Sequence, residues 1–246
     1  MKSIINYAHR GASGYCPENT MAAFEKSWKL GATGIETDVQ MTKDGQLVLI
    51  HDESLKRTTG YEGQIKDLTY DEIKTLDAGS WYSEEFANEH VPLLSELLSW
   101  IASTEMMLNI EIKNNIEPYI GIEEKLVRMI QEYNLTDRVI ISSFNHYTLQ
   151  TCHQLAPEIQ TGILYMENLV HPWDYVKTFG ASALHAHYSA VTSDGVAQAE
   201  QAGVIYNVWT INDPIVMREL IDMQVGGIIT DYPDILAELL KEKIMI

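Results

Sequence analysis

The chain has 246 residues, of which 46% are hydrophobic and 21% are charged, a composition ordinary for a globular protein large enough to bury a sizeable core. Its formal net charge is −18, and the acidic residues are spread along the chain rather than gathered in a tail. This charge disfavours nucleic acid and anionic membranes as partners, because both attract lysine and arginine.

Short apolar segments alternate with amphipathic segments along the whole chain. Strands are predicted at 3–8, 34–39, 108–112, 139–144, 162–165, 183–187, 204–210 and 227–230. Helices are predicted at 17–31, 95–103, 122–130, 147–155, 173–179, 194–202, 214–223 and 235–243. Eight βα units joined by short loops predict an α/β protein, a (β/α)8 TIM barrel that occupies residues 1–246 as a single domain. The alternative, a doubly wound open sheet, usually carries a glycine-rich phosphate loop after its first strand, and the sequence has none there.

The segment GIETDVQMTKDGQLVLIHD, residues 34–52, begins with two acidic residues on one strand. Side chains two apart on a strand point to the same face, so Glu36 and Asp38 are expected to lie side by side. Two adjacent carboxylates in an apolar segment repel each other, and a hard cation such as Mg²⁺ or Ca²⁺ relieves that repulsion. Turn residues at 43–45 then bring the chain back toward the carboxylates at His51. The alternative is a surface hairpin with a solvated acidic face.

About forty residues separate His51 from Leu93, where a βα loop is usually short. Within this insertion, at about residues 53–92, a small helix is predicted at 68–76 with Thr69 and Glu72 spaced as a capping box. The insertion also carries the aromatic residues Tyr61, Trp81, Tyr82 and Phe86. It is either a packed surface excursion or a lid over the barrel. We favour the lid, because the insertion follows the strand that carries the acidic pair.

The C-terminal ends of the strands are where the active sites of such barrels lie, so the residues found there test the prediction. The chemistry-bearing residues placed at that end are His9, Arg10, Glu36, Asp38, His51, Glu111, Lys113 and Trp209. Three of them, Glu36, Asp38 and Glu111, form what we call the carboxylate triad. Carboxylate oxygens are the ligands that hard cations prefer, so the triad predicts a site for one divalent metal ion, Mg²⁺ or Ca²⁺.

The other residues of this set suit the cleavage of a phosphate ester. Histidine titrates near neutrality, so His9 and His51 are candidates for general acid and general base. Arg10 and Lys113 offer fixed positive charge for a phosphate, and Trp209 is predicted as a further substrate contact. A metal ion, two cations and two histidines are together the equipment of phosphodiester hydrolysis.

Two further histidines lie two apart on the sixth predicted strand, so both can face the barrel interior. We predict that His185 and His187 are core histidines rather than catalytic groups. A substrate or structural contact is the alternative for His187.

The two cysteines, Cys16 and Cys152, lie far apart and lack the spacing of a metal site. We therefore predict two reduced thiols rather than a disulfide. The N-terminal run MKSIINYAHRG is too short for a signal peptide, and no apolar run is long enough to span a membrane. These features predict a cytoplasmic protein without stable membrane insertion, unless a leader peptide has been removed.

Five segments of the chain make a more specific resemblance. They are HRGASGYCPENTMAAF at 9–24, GIETDVQMTKDGQLVLIHD at 34–52, NIEIK at 109–113, VWTIND at 208–213 and GIITDYP at 227–233. In this order, and including the insertion after the second strand, the chain resembles the glycerophosphodiester phosphodiesterase family over essentially its whole length. The pairing of HRG…PENT with E-x-D…HD carries most of the resemblance, whereas VWTIND alone would be weak evidence.

The resemblance implies a (β/α)8 fold, a divalent metal ion and hydrolysis of glycerophosphodiesters to glycerol 3-phosphate and an alcohol. Carried over by position, the metal ligands are the carboxylate triad and the acid–base pair is His9 and His51. Arg10 and Lys113 match the family's phosphate-contacting positions, and the chain departs from the family at none of these residues.

Two other functions are weighed against this one. A phospholipase D-like barrel acting on intact lipid would favour an exposed apolar lip and a disulfide-braced loop, and neither is evident in the sequence. A non-catalytic barrel that binds phosphorylated ligands would have no need of two histidines. The expected partner is a small glycerophosphodiester, while its head group, the choice between Mg²⁺ and Ca²⁺ and the oligomeric state stay open. For the nucleophile we favour the substrate's own hydroxyl next to the phosphate, giving a cyclic phosphate, over direct attack by water.

Overall fold

Eight parallel β-strands close into a barrel around which the helices pack. The computed structural model describes residues 3–244, and this range contains nine strands. They are β1 (Ile5–His9), β2 (Gly34–Met41), β3 (Leu47–Leu49), β4 (Met107–Ile112), β5 (Val139–Ser143), β6 (Gln160–Tyr165), β7 (Ala183–His187), β8 (Ile205–Trp209) and β9 (Gly227–Thr230). Strand β1 pairs in parallel with both β2 and β9, which closes the barrel, and β3 pairs antiparallel with β2. The predicted (β/α)8 barrel is confirmed.

Ten α-helices lie in the described range, and most connect consecutive barrel strands. They are α1 (Met21–Lys29), α2 (Lys56–Thr59), α3 (Tyr70–Ile73), α4 (Leu94–Ala102), α5 (Ile122–Glu132), α6 (His146–Leu155), α7 (Pro172–Lys177), α8 (Ser193–Gln201), α9 (Pro214–Asp222) and α10 (Pro233–Ile244). The helix predicted at 17–31 begins at Met21, because the Thr20 hydroxyl caps it by accepting a bond from the Ala23 backbone N–H at 3.3 Å. Residues 17–19 are therefore a loop.

The barrel strands separate an apolar outer face from a polar inner face. On β4, Leu108, Ile110 and Ile112 belong to the main apolar core with the surrounding helices. Between them, Asn109 and Glu111 line a cavity inside the barrel. This alternation follows from the period of two along a strand, and it gathers buried polar side chains at one place.

The residues between β3 and α4 pack around a second apolar cluster. Its buried members are Val48, Ile50, Leu55, Ile65, Ile73, Ala78 and Val91. Short helices α2 and α3 lie in this segment, together with single 3₁₀ turns at Ile65–Asp67 and Glu84–Phe86. The predicted helix at 68–76 is the shorter α3, and the predicted capping contact is present, because the Thr69 backbone N–H donates to Oε2 of Glu72 at 2.8 Å.

Two predictions about the environment of the chain can be compared with the structure. Cys16 and Cys152 are both buried and unbonded, as predicted. None of the helices within residues 3–244 combines the length and the apolar character needed to cross a membrane.

Candidate active site

The carboxylate triad lies at the C-terminal end of the barrel, on two neighbouring strands. Glu36 and Asp38 are on β2, and the register of the β2–β4 pair places Glu111 opposite Asp38. One carboxylate oxygen from each of the three residues lies within 4.8 Å of the others. All three side chains are buried, so they share one small volume away from bulk water.

Burial and mutual repulsion set the protonation of the triad. Burial, with the charges of Asp38 and Glu111, raises the pKa of Glu36 well above its ordinary value. Burial and the Asp38 charge likewise raise the pKa of Glu111 to about 7. Burial alone would raise the pKa of Asp38 as well, but the Arg10 and Lys113 charges lower it. Three buried, mutually repelling oxygen ligands fit a hard divalent cation, which offsets this repulsion.

Arg10 is held above the triad by an unusual backbone conformation. Its φ is 53°, and its backbone N–H donates to Oε2 of Glu36 at 3.1 Å. The guanidinium then pairs with Glu18 at 2.8 Å and lies 3.4 Å from Oδ2 of Asp38. These contacts fix the direction of the guanidinium in the cavity.

Lys113 supplies the second cation from the end of β4. Its Nζ lies 2.9 Å from Oε1 of Glu111 and 3.9 Å from Oδ1 of Asp38. Although burial works against it, the charges of these two carboxylates raise the pKa of Lys113, so the amine stays protonated. The same Nζ lies 3.2 Å from Nε2 of His51, which ties the cation to one of the predicted acid–base residues.

His9 is oriented by the carboxylate of Asp231, which directly follows β9. Its Nδ1 lies 2.6 Å from Oδ1 of Asp231, and a carboxylate only accepts, so Nδ1–H is the donor. Burial alone would raise the pKa of Asp231, but hydrogen bonds from His9, Asn212 and Ser13 lower it to about 2. Nε2 of His9 is therefore the free nitrogen, and it faces the triad at 4.0 Å from Oε2 of Glu36.

His51 is held in the same way by its neighbour in sequence. Its Nδ1 lies 2.7 Å from Oδ1 of Asp52. Burial would raise the pKa of Asp52, but hydrogen bonds from Arg57 and His51 lower it to about 2. Both predicted acid–base residues thus present Nε2 to the site and donate Nδ1–H to an ionised aspartate.

Arg57, in the insertion, joins the two sides of the site. Its guanidinium donates to Asp52 at 2.7 and 3.2 Å and to both oxygens of Glu18 at 2.8 Å. Glu18 in turn holds Arg10, and Asp52 holds His51. Arg57 therefore supports both the carboxylate that holds Arg10 and the carboxylate that holds His51.

A cavity of about 110 Å³, the catalytic cavity, collects the predicted residues. Its lining includes His9, Arg10, Glu36, His51, Glu111, Lys113 and Trp209, together with Asn109, Ser142, Phe144, Leu164, Thr210 and Ile229. Asp38 lies behind this wall, with 1% of its surface exposed. Trp209 is fixed by a hydrogen bond from its Nε1 to the His185 carbonyl at 2.8 Å and by edge contacts with Phe144 and His187.

The two histidines of β7 differ. His185 is fully buried between Asn109 and Asn207, and burial lowers its pKa to about 3, so it is a neutral core histidine as predicted. His187 is partly exposed and contacts Ser189 at 2.7 Å, so the prediction of a core position is wrong for it. Its strand ends at this residue, where the barrel opens, so the side chain contacts Trp209 but is only partly covered.

The insertion reaches the site through Arg57 rather than through its aromatic residues. No residue of 53–92 lines the catalytic cavity among the described residues. The aromatic residues Tyr61, Trp81 and Tyr82 are exposed, and the Arg57 guanidinium lies 5.9 Å from the centre of the Trp81 ring. The lining of the cavity gives the lid hypothesis no support.

Four supporting residues escaped the sequence analysis. They are Glu18, Asp52, Arg57 and Asp231. Asp231 directly follows β9, so the rule that located the other site residues at strand ends would have found it. Glu18 and Arg57 are 39 residues apart and no local pattern links them.

The chain is similar in sequence to known proteins over nearly its whole length. Residues 9–235 match the model of the glycerophosphoryl diester phosphodiesterase family. A glycerophosphodiester phosphodiesterase of Caldanaerobacter subterraneus subsp. tengcongensis is 47% identical over 242 residues, which cover 98% of this chain and 99% of that protein. Another, of Bacillus altitudinis, is 42% identical over 93% of this chain and 94% of its own length.

Solved structures agree with these relatives. A phosphodiesterase of Oleispira antarctica, solved in complex with the product sn-glycerol-3-phosphate, superposes with a TM-score of 0.86 and 32% identity, covering 96% of each chain. A glycerophosphodiester phosphodiesterase of Agrobacterium tumefaciens superposes with a TM-score of 0.84 and 30% identity, covering 97% of this chain and 100% of that one.

Proposed function

The chain belongs to the glycerophosphoryl diester phosphodiesterase family, and we propose that the residues of the catalytic cavity carry out its reaction, the hydrolysis of glycerophosphodiesters to glycerol 3-phosphate and an alcohol. One observation carries this proposal. A buried carboxylate triad, two cations and two aspartate-held histidines meet at a single cavity. A phosphate-binding barrel without catalysis would have no use for two aspartate-held histidines in the same cavity.

The triad holds one divalent cation, Mg²⁺ or Ca²⁺, in this proposal. When bound, the cation withdraws charge from the phosphate oxygens and so stabilises the transition state. The oxygen-only donor set and the raised pKa values of Glu36 and Glu111 support this assignment.

Arg10 and Lys113 orient the phosphate. Both line the cavity and both are braced by buried carboxylates, so their positive charges stay in place when the phosphate leaves. Trp209, fixed by three contacts, forms part of the wall on the side of the departing alcohol.

His9 and His51 move the protons. Each donates Nδ1–H to an aspartate, which sets the tautomer and directs Nε2 into the cavity. Nε2 of His51 accepts a hydrogen bond from Lys113 before substrate binds, and Nε2 of His9 faces Glu36. One Nε2 removes the proton of the nucleophile, and the other protonates the departing alkoxide. The aspartates stabilise whichever imidazole becomes charged.

The nucleophile is the substrate's own hydroxyl next to the phosphate. The two serines of β5 are already occupied as donors, Ser142 to Oδ1 of Asn109 and Ser143 to the Ile112 carbonyl, both at 2.9 Å. Neither serine has a histidine beside it, so the protein offers no activated hydroxyl at this strand. A tethered hydroxyl gains the advantage of proximity, and water then opens the cyclic phosphate.

A deoxy substrate tests this route. A glycerophosphodiester analogue that lacks the hydroxyl adjacent to the phosphate should be cleaved at least about 100-fold more slowly, because the tethered nucleophile is gone. Phosphorus NMR of the normal reaction should show a transient five-membered cyclic phosphate. A near-normal rate on the deoxy analogue would establish direct attack by water instead.

Arg57 is expected to act through positioning. Arg57→Met should lower kcat by about 10-fold to 100-fold with a small change in KM, because both His51 and Arg10 lose a support. Arg57→Lys should recover only part of the loss, since lysine cannot bridge two carboxylates in the plane of a guanidinium. Added guanidinium ion should restore the methionine variant. Arg128→Met, an exposed arginine of α5, is the control and should have no effect.

The remaining features of the proposal concern the chain as a whole. We propose a single domain over 1–246 in which the insertion at about 53–92 braces the site. The net charge of −18 supports a small-molecule partner rather than nucleic acid, and two unbonded cysteines support a reducing, cytoplasmic location.

A further inference from the structure

Beside the catalytic cavity lies a second, larger depression, which we call the apolar groove. Its volume is about 650 Å³, against about 110 Å³ for the catalytic cavity. The two share Phe144 and Leu164, so they form one continuous surface. The outer part of the groove comes from the loop between β6 and α7 and from α7 itself, with Met166, Leu169, Val170 and Tyr175.

The groove presents apolar side chains to solvent. Met166 is 52% exposed, Leu169 41% and Val170 87%. A surface with no binding function rarely exposes so many apolar side chains close together. Of the groove's lining residues, all of which the structure describes, Glu167 alone carries a formal charge, and the ring nitrogens of His146 are occupied by Tyr175 and the Leu164 carbonyl.

The size of the catalytic cavity determines what the groove can receive. A cavity of about 110 Å³ has room for the charged end of the substrate among its cations, but not for a whole diester. The other ester arm must leave the cavity along a wall, and the wall formed by Phe144 and Leu164 leads into the groove.

We propose that the apolar groove is a subsite for the departing alcohol and that it selects alcohols with an uncharged apolar chain. This inference rests on the proposed function, because the groove has a substrate only if the cavity holds the phosphate. Anionic alcohols are disfavoured by Glu167 and by the lack of cations in the groove. A cationic alcohol such as choline can contact Glu167 and the rings of Phe144 and Tyr175. The most exposed part of the groove is nevertheless aliphatic, with Met166, Leu169 and Val170, and we expect this part to favour a neutral chain of the same shape.

Two sets of substrates test the subsite. The first set is the glycerophosphodiesters of ethanol, butanol and hexanol, assayed below their micelle-forming concentrations. We expect kcat/KM to rise by about twofold to fourfold per added methylene as the chain enters the groove. The second set pairs glycerophosphocholine with its neutral isostere, the ester of 3,3-dimethylbutanol, and the neutral ester should be the better substrate.

Matched variants locate the effect. Leu169→Asn should flatten the chain-length series while leaving hydrolysis of the ethanol ester unchanged, because that ester does not reach the groove. Leu155→Asn is the control, a leucine with 43% exposure at the end of α6 that lines neither cavity nor groove. In Leu155→Asn, kcat/KM should still rise with the length of the alcohol chain.

The outcomes separate the inference from its premise. A flat series in the wild type with good hydrolysis of the ethanol ester, or a preference for choline over its neutral isostere, would overturn the subsite. The subsite would also be overturned if kcat/KM rose with chain length equally in the wild type and in Leu169→Asn. Hydrolysis of none of these esters would overturn the proposed function itself.

Discussion

Chelation of the divalent metal should abolish hydrolysis, and added Mg²⁺ or Ca²⁺ should restore it. The triad oxygens lie within 4.8 Å of one another and are buried, so bulk water screens their mutual repulsion poorly and a bound divalent cation offsets it. Glu36→Gln should lower the rate at saturating substrate by at least about 100-fold, since several kcal/mol of charge stabilisation is lost, with partial recovery at high metal concentration. Glu132→Gln, which removes an exposed carboxylate of α5, should leave the metal dependence unchanged.

Thermal unfolding gives a second readout of the same site that does not depend on turnover. In the metal-free protein the pKa of Glu111 is raised from 4.5 to about 7, so the folded state binds more protons than the unfolded state between these values. Stability of the metal-free protein should therefore fall as the pH rises from 5 to 8, and the stabilisation by added metal should grow over the same interval. Glu111→Gln should make this pH dependence less steep, and the raised pKa of Glu36 should account for what remains. Full activity in excess chelator, with the protein shown to be free of metal, would contradict the metal site.

The predicted positions of the carboxylate triad and Lys113 in the barrel follow from two rules. Side chains two apart on a strand share a face, which placed Glu36 beside Asp38, and the ends of barrel strands converge, which brought Glu111 and Lys113 to them. Both rules depend only on backbone period and topology. They need no knowledge of how loops pack.

The features that the sequence analysis missed depend on loop packing. The start of α1 at Met21 follows from the Thr20 cap, and the preceding loop delivers Glu18 to an arginine 39 residues away. The apolar lip that was not evident in the sequence is scattered over residues 144–175 and becomes a groove only when the β6–α7 loop folds beside Phe144. His187 follows the strand rule and contacts Trp209, but its side chain is only partly buried, because the rule gives the direction of a side chain and not its cover.

Replacing either histidine of the site should also lower the rate of hydrolysis strongly. His9→Gln and His51→Gln should each lower hydrolysis of the butanol ester by about 10²–10⁴-fold, because each Nε2 handles one of the two proton transfers. Glutamine keeps most of the volume and the polar character of the side chain, so the fold should survive. His153→Gln is the control, a partly exposed histidine of α6 that does not line the catalytic cavity.

A substrate with a better leaving group assigns the two roles. The p-nitrophenyl ester releases an anion that needs no proton, so a variant lacking the general acid should regain most of its activity on this ester. A variant lacking the general base should stay impaired on both esters, because deprotonation of the nucleophile is still required. Equal losses for both variants on both esters would contradict a division of acid and base work. Near-normal activity of either variant on the butanol ester would remove that histidine from the mechanism, and the aspartate behind it, Asp231 or Asp52, would then need another function.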